Sequence, residues 1–350
     1  MVRADYRRDD ALTSQESQQI RLTPEKVRHL SVEDLGLTHP NPERIPRFEE
    51  IEVLEADDPI LMASRNLLAT FGGLIFVGPP GTSKSWYAAR LAVTLAGGDA
   101  SLVRFVQFHP SYQYEDFVEG FVPLESGGFK LVPKHFLELC RLGEDHSEQS
   151  AVLVIDELSR GDAGRVFGEA LTYIEKSKRG LPFSLASGTA LRIPSNLVVL
   201  ATMNALDRGA DDVDAALDRR FAKIPMDPNI EILAQFLNEA GMRDDLRNRV
   251  LEFFRLVNER GRANPYSALG HTYFIGVSDE GDLRRVWEHQ LRFHFDKAYR
   301  LDVEGRADID RAWDRVLAVG KAATHPATDV EVPDADVGEL AEAADAEDAP

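Results

Sequence analysis

One stretch constrains this chain more than any other: Gly78-Pro79-Pro80-Gly81-Thr82-Ser83-Lys84-Ser85. It follows an apolar run, Leu74-Ile75-Phe76-Val77, and leads into a helical segment. A glycine-rich turn between strand and helix, closed by Lys-Ser, reads as a phosphate-binding loop. Its backbone N–H groups and the helix N-terminus cradle phosphate oxygens, Lys84 neutralises the β/γ charge, and the Ser85 hydroxyl ligates Mg²⁺. The usual pattern places glycine directly before the lysine. Ser83 stands there instead, and a side chain restricts backbone freedom, so altered nucleotide affinity or turnover is expected.

The surrounding pattern sets the fold class. From about Ile51 to Pro228 strand-like runs alternate with helical ones, the order that builds a parallel sheet. Strands are predicted at Leu74–Val77, Val103–Val106, Ala151–Ile155 and Leu197–Ala201. Most are continuous apolar runs, as in strands covered on both faces. From Asn229 to about Ala323 the periodicity is helical, as in Ile232-Leu233 with Phe236-Leu237. The expected architecture is α/β: a P-loop core (51–228) with a parallel sheet between helices, then a small helical lid (229–324). Residues 1–50 read as a polar arm with one short helix near Pro24 to Leu30. Residues 325–350 read as an acidic, disordered tail.

Two strand ends carry further chemistry. The run Ala151 to Ile155 ends in Asp156-Glu157, the pattern of a Walker B site. Asp156 is expected to hold the Mg²⁺ water shell and Glu157 to polarise the attacking water. The run Leu197 to Ala201 continues into Thr202-Met203-Asn204, and an amide at that tip suits the water-orienting role called sensor 1. Arg219-Arg220 then follow Asp214 and Asp218. Adjacent arginines there suggest a finger reaching a neighbouring subunit's nucleotide; surface ion pairs with the two aspartates are the plainer reading. A basic cluster, Lys176-Ser177-Lys178-Arg179, precedes a hairpin turning at Ser187-Gly188, suited to a pore or to solvent. His109 reads as scaffold, whereas His271 is a candidate for approaching the nucleotide base.

Composition narrows the field. At 350 residues the chain exceeds a single core, which stops growing near ~250–300 residues. One cysteine, Cys140, excludes a disulfide framework or a cysteine-rich zinc module. No apolar run approaches the ~20 residues of a membrane span, and the first residues lack a signal peptide's apolar stretch, so a cytoplasmic location is expected. The net charge is -19, and nine acidic residues without a basic one lie between Asp329 and Pro350, leaving -10 elsewhere. Nucleic-acid binders usually show a basic footprint, so only weak or indirect contact with DNA is expected.

Taken together these segments resemble the AAA+ NTPases of dynein-related type, and among them the McrB family of modification-dependent restriction NTPases. The resemblance runs from about Leu74 to Tyr299 and includes Phe105 to Phe121, Asp156-Glu157-Leu158-Ser159-Arg160-Gly161, Phe167-Gly168-Glu169, Thr202 to Arg208, and Leu269-Gly270-His271-Thr272-Tyr273-Phe274. It implies a homo-oligomeric ring, most often a hexamer, hydrolysing ATP (or GTP) with Mg²⁺ beside a McrC-like nuclease partner. Arg219, Arg220 and Arg160 are its candidates for the arginine acting in trans. Ala205-Leu206 and Gly209 depart from the family signature, which puts the family's GTP preference and its stimulation by the nuclease in question. Fifty polar residues cannot build the family's modified-base reader, and no nuclease carboxylate set is visible. A motor without its own reader or cutter is expected. A MoxR-like remodelling chaperone is the alternative, and a nucleotide-dependent scaffold crippled by Ser83 is the third reading.

Overall fold

The computed structural model describes residues 51–204, 217 and 219–318, with the backbone alone of 2–4 and 27–29. The rest of the polar arm, the signature drift at 205–209, Asp214, Asp218 and the acidic tail lie outside the described residues. Near Pro24 to Leu30, where a short helix is predicted, Val27–His29 is instead a strand paired antiparallel with Val2–Ala4. The β-branched Val2 and Val27 suit that extended backbone.

The core is a five-stranded sheet: β1 (Gly73–Val77), β2 (Val103–Gln107), β3 (Ala151–Asp156), β4 (Leu197–Met203) and β5 (Phe221–Pro225). Its order is β5-β1-β4-β3-β2, and every neighbouring pair is parallel. All of β4 is buried, as is β3 except its last residue, so their apolar runs are unbroken. Alternate residues feed two cores. Ile75, Leu153, Ile155, Val199 and Ala201 pack beneath Phe108, Phe117 and Phe167 on one face. Leu74, Phe76, Val152, Val154 and Leu200 pack against Ala88, Leu91 and Ala92 of helix α1 (Lys84–Leu95) on the other. The fifth strand escaped the sequence because it alternates around exposed Lys223 and ends in Pro225, as an edge strand does.

From Asn229 onward the described chain is helical. Asn229 caps helix α2 (Ile230–Glu239), its side chain accepting from Ile232 N–H. Helix α3 (Asp244–Gly261) presents Val250, Phe253, Phe254 and Val257 to a separate core. There Trp287 stacks on Trp313 with ring centres 4.7 Å apart. No helix among the described residues is long and apolar enough to cross a membrane.

Register places the functional ends together. Met203 of β4 pairs with Val77 of β1, and Ala201 pairs with Ile155 of β3. Hence the loop after Val77, the carboxylates ending β3 and the amide after Met203 share the carboxyl edge of the sheet. Because β4 lies between β1 and β3, they meet where an open α/β sheet binds ligands.

Candidate active site

The loop between β1 and α1 closes on itself. Lys84 is buried and donates to the carbonyls of Gly78 (2.9 Å) and Pro79 (2.7 Å), while Thr82 Oγ1 donates to Pro79 O (3.0 Å). Gly81 has φ +78° and Ser83 φ +63°, both left-handed. An L-residue disfavours that region. The only non-glycine residues with positive φ among the described ones are Ser83 and Glu157, and both are in this site. Strain of this kind, about 1–3 kcal/mol each, persists where the surroundings over-determine it.

Around the carboxylates a hydroxyl relay fixes geometry. Ser85 Oγ donates to Asp156 Oδ1 at 2.7 Å, and Thr202 Oγ1 donates to the same oxygen at 2.5 Å. Thr202 Oγ1 in turn accepts from the Glu157 N–H at 3.1 Å, tying β4 to the strained turn after β3. Glu157, at φ +56°, projects its carboxylate toward Asn204 Nδ2 (3.5 Å) and Arg160 Nε (3.2 Å). Ser85 and Asp156 together offer hard oxygen donors. They suit Mg²⁺, which keeps several waters and binds through one or two carboxylates plus phosphate oxygens.

Behind the turn, the segment Phe108 to Phe117 is packing. Phe108 is fully buried, stacks on Tyr112 at 5.1 Å and meets Phe117 edge-on at 5.8 Å. Phe117 meets Phe167 at 4.9 Å, and the Phe108 N–H donates to Asp156 O at 2.9 Å. This aromatic knot holds the turn from beneath. Replacing Phe108 with alanine is expected to destabilise the core by about 3–5 kcal/mol. Chemical denaturation checks it; a midpoint within error of the wild type would contradict the assignment.

On the other side the segment 269–274 rests on the loop. His271 Nε2 lies 2.9 Å from Ser83 Oγ, and Asn229 N–H donates to His271 Nδ1 at 3.3 Å. An accepting Nδ1 leaves the proton on Nε2, so the imidazole donates to Ser83. Burial lowers its pKa to about 4, which keeps it neutral at pH 7. His271, a candidate for approaching the nucleotide base, here contacts the loop itself at Ser83. Two cavities flank the loop. One of about 830 Å³ is lined by Pro79, Pro80, Asn204 and Asn258, and one of about 610 Å³ by Ser83, Trp86, Tyr87, Ile232 and Phe236.

Not every expected residue joins this edge. Arg219 and Arg220 precede β5, whose Phe221 pairs with Gly73 at the amino edge of β1, so they lie at the far end of the sheet. Arg219 is exposed and Arg220 buried, with Arg220 O accepting from Gly72 N at 2.9 Å. The hairpin predicted at Ser187-Gly188 pairs Phe183–Ser184 with Ala190–Leu191. Its basic neighbour Arg179 is not a free surface cation. Its guanidinium donates to the carbonyls of Gly72, Ile174 and Leu197, and burial lowers its pKa to about 10. Thr202 is the contributor that spacing alone left without a role; the sheet register brings its hydroxyl to Asp156. Arg160, a candidate for the arginine acting in trans, pairs here with Glu157 of its own chain.

The strand order, the loop on β1 and the polar tips of β3 and β4 define the AAA+ class of P-loop proteins. Residues 73–221 match the family described as the AAA domain, dynein-related subfamily. It is 32% identical over 234 residues to the type IV methyl-directed restriction enzyme EcoKMcrB subunit of Escherichia coli K12, covering 62% of this chain and 50% of that one. It is 24% identical over 188 residues to the type II restriction enzyme BsuMI component YdiS of Bacillus subtilis, covering 42% and 55%. The chain thus spans about half the length of these curated relatives. A solved structure of a candidate ATPase from Cytophaga hutchinsonii aligns over 76% of this chain and 91% of its own, with TM-score 0.35 and 15% identity.

Proposed function

We propose that this chain is a Mg²⁺-dependent nucleoside triphosphatase, with ATP preferred over GTP. In this reading it forms a ring, most simply a hexamer, and drives a DNA-restriction or anti-phage complex in the cytoplasm. The reader and a McrC-like nuclease are separate partners, and the motor touches DNA only weakly or indirectly, in keeping with the net charge of -19. Residues 51–228 are the nucleotide-binding unit and 229–324 the lid. The observation that carries the reading is the meeting of the loop, Asp156-Glu157 and Asn204 at one sheet edge, with its two strained residues in that same edge.

With nucleotide bound, the backbone N–H groups from Gly81 to Ser85 would hold the phosphates, and Lys84 would exchange the two carbonyls it now holds for phosphate oxygens. Ser85 and Asp156 take Mg²⁺, which offsets phosphate charge when present. Glu157 accepts the proton of the attacking water, and Asn204 orients that water. The aromatic cavity at Trp86, Tyr87 and Phe236 suits the base. Purified protein with Mg²⁺ and either nucleotide is expected to release phosphate, faster from ATP. Lys84→Ala removes binding because the cationic partner of the phosphates is gone. A wild-type chain that hydrolyses neither nucleotide, alone or at high concentration, would overturn the enzyme reading.

A further inference from the structure

Ser83 occupies a position whose backbone is left-handed, with φ +63° and ψ 20°. Glycine populates that region as readily as the right-handed one, whereas an L-residue is disfavoured there by roughly a factor of ten. Something must therefore hold the serine. Its Oγ receives the Nε2–H of His271, a residue 188 positions away in the chain. His271 is itself 1% exposed and fixed from its other nitrogen by the N–H of Asn229, the cap of α2.

The neighbours of His271 reinforce the contact. Thr272 N–H donates to Gly81 O at 3.0 Å, within the same loop. A Cβ on Gly270 would stand 2.1 Å from the Gly81 carbonyl, so the two backbones touch and only glycine fits. The phosphate loop is thus gripped by three consecutive residues of the helical region, one of them through the side chain at the unusual position.

We propose that His271 is a positioning residue for phosphate binding. Through Ser83 it makes seating of the helical lid a condition for the nucleotide-ready shape of the loop. Where glycine would hold the left-handed turn unaided, this chain stores the requirement in a contact between lid and loop. Linkage makes the coupling reciprocal: if a seated lid favours phosphate binding, bound phosphate favours the seated lid to the same degree. Whatever lifts residues 270–272 off the loop then loosens the nucleotide without touching it. The nucleotide arm rests on the triphosphatase reading; the loop-conformation arm does not.

A double-mutant cycle on the full-length chain tests this, with Mg²⁺–ATP titration, steady-state hydrolysis and amide hydrogen exchange of the nucleotide-free loop. His271→Ala is expected to raise Kd about tenfold, or ~1.4 kcal/mol, with KM rising in step and kcat changing less than about threefold. Exchange at 82–85 quickens. In the Ser83→Gly background the same His271→Ala change is expected to move Kd and loop exchange by less than about twofold, because glycine needs no support. Equal losses in both backgrounds would make His271 a lid-packing residue only and overturn the proposal, as would no loss in either. If His271→Ala fails to fold, Ser83→Ala and Ser83→Gly decide: alanine lacks the acceptor and the left-handed freedom, so it must bind more weakly than glycine and exchange faster. Equal behaviour of those two sinks the proposal. A wild-type chain that binds no nucleotide while the exchange pattern holds would refute the triphosphatase reading and leave the lid contact standing.

Discussion

Replacing Glu157 with glutamine is expected to slow hydrolysis by roughly 10²–10⁴-fold, the usual contribution of a positioned general base. Nucleotide binding stays near wild type. Glutamine keeps the size of the side chain and an oxygen toward Asn204 and Arg160, so the turn at φ +56° has the same partners save one charge. What it loses is the ability to accept a proton. Binding, in contrast, is expected to rest on the loop 78–85, where Lys84 sits against the carbonyls of Gly78 and Pro79. Phosphate release and an equilibrium titration with the same preparation separate the two effects. Hydrolysis at the wild-type rate would move the water-activating role to another group; a parallel loss of binding would make the residue structural.

The parts of this fold that could be read from the sequence are those where burial is symmetrical. Strands β1, β3 and β4 are covered on both faces, so they carry apolar runs up to Val77, Ile155 and Ala201, and their tips can be located to within a residue or two. The loop, Asp156-Glu157 and Asn204 were legible for the same reason: each follows such a run directly. Strand β5 was not, because an edge strand with Lys223 outward has no continuous apolar signature. Long-range partners were not legible either. The sequence places Arg179 in a cluster with Lys176 and Lys178, and nothing local reveals that it reaches back to Gly72 across 107 positions. Ser83 advertised itself as a departure, yet its compensation by His271 depends on how the helical region folds back. Thr202 looked like the interior of a signature, while its hydroxyl joins Asp156 to the backbone of Glu157.

Arg219→Ala is expected to lower kcat by about 10³-fold, the lower range for an arginine supplied in trans, with little change in melting temperature. The argument is one of position. The loop follows the carboxyl end of β1, whereas Arg219 precedes β5 at the level of Gly73. Five residues at ~3.3 Å each separate the two edges, farther than the side chain extends along its own subunit. If these arginines serve hydrolysis at all, they serve a neighbour's site. The two are not equivalent. Arg220 is buried, its backbone carbonyl is engaged by Gly72, and burial first, then the adjacent Arg219 charge, lowers its pKa. Arg219 is exposed. Arg220→Ala is therefore expected to cost melting temperature, and Arg219→Ala activity. Mixing equal amounts of Arg219→Ala and Lys84→Ala subunits provides the decisive measurement. The Lys84→Ala homomer binds no nucleotide and the Arg219→Ala homomer keeps about a thousandth of the rate, yet in a head-to-tail ring about a quarter of the interfaces join an intact loop to an intact arginine. Activity should rise toward that fraction of the wild-type rate. Mixed rings, shown by co-purification of differently tagged subunits, that are no more active than their parts would remove Arg219 from the neighbour's site.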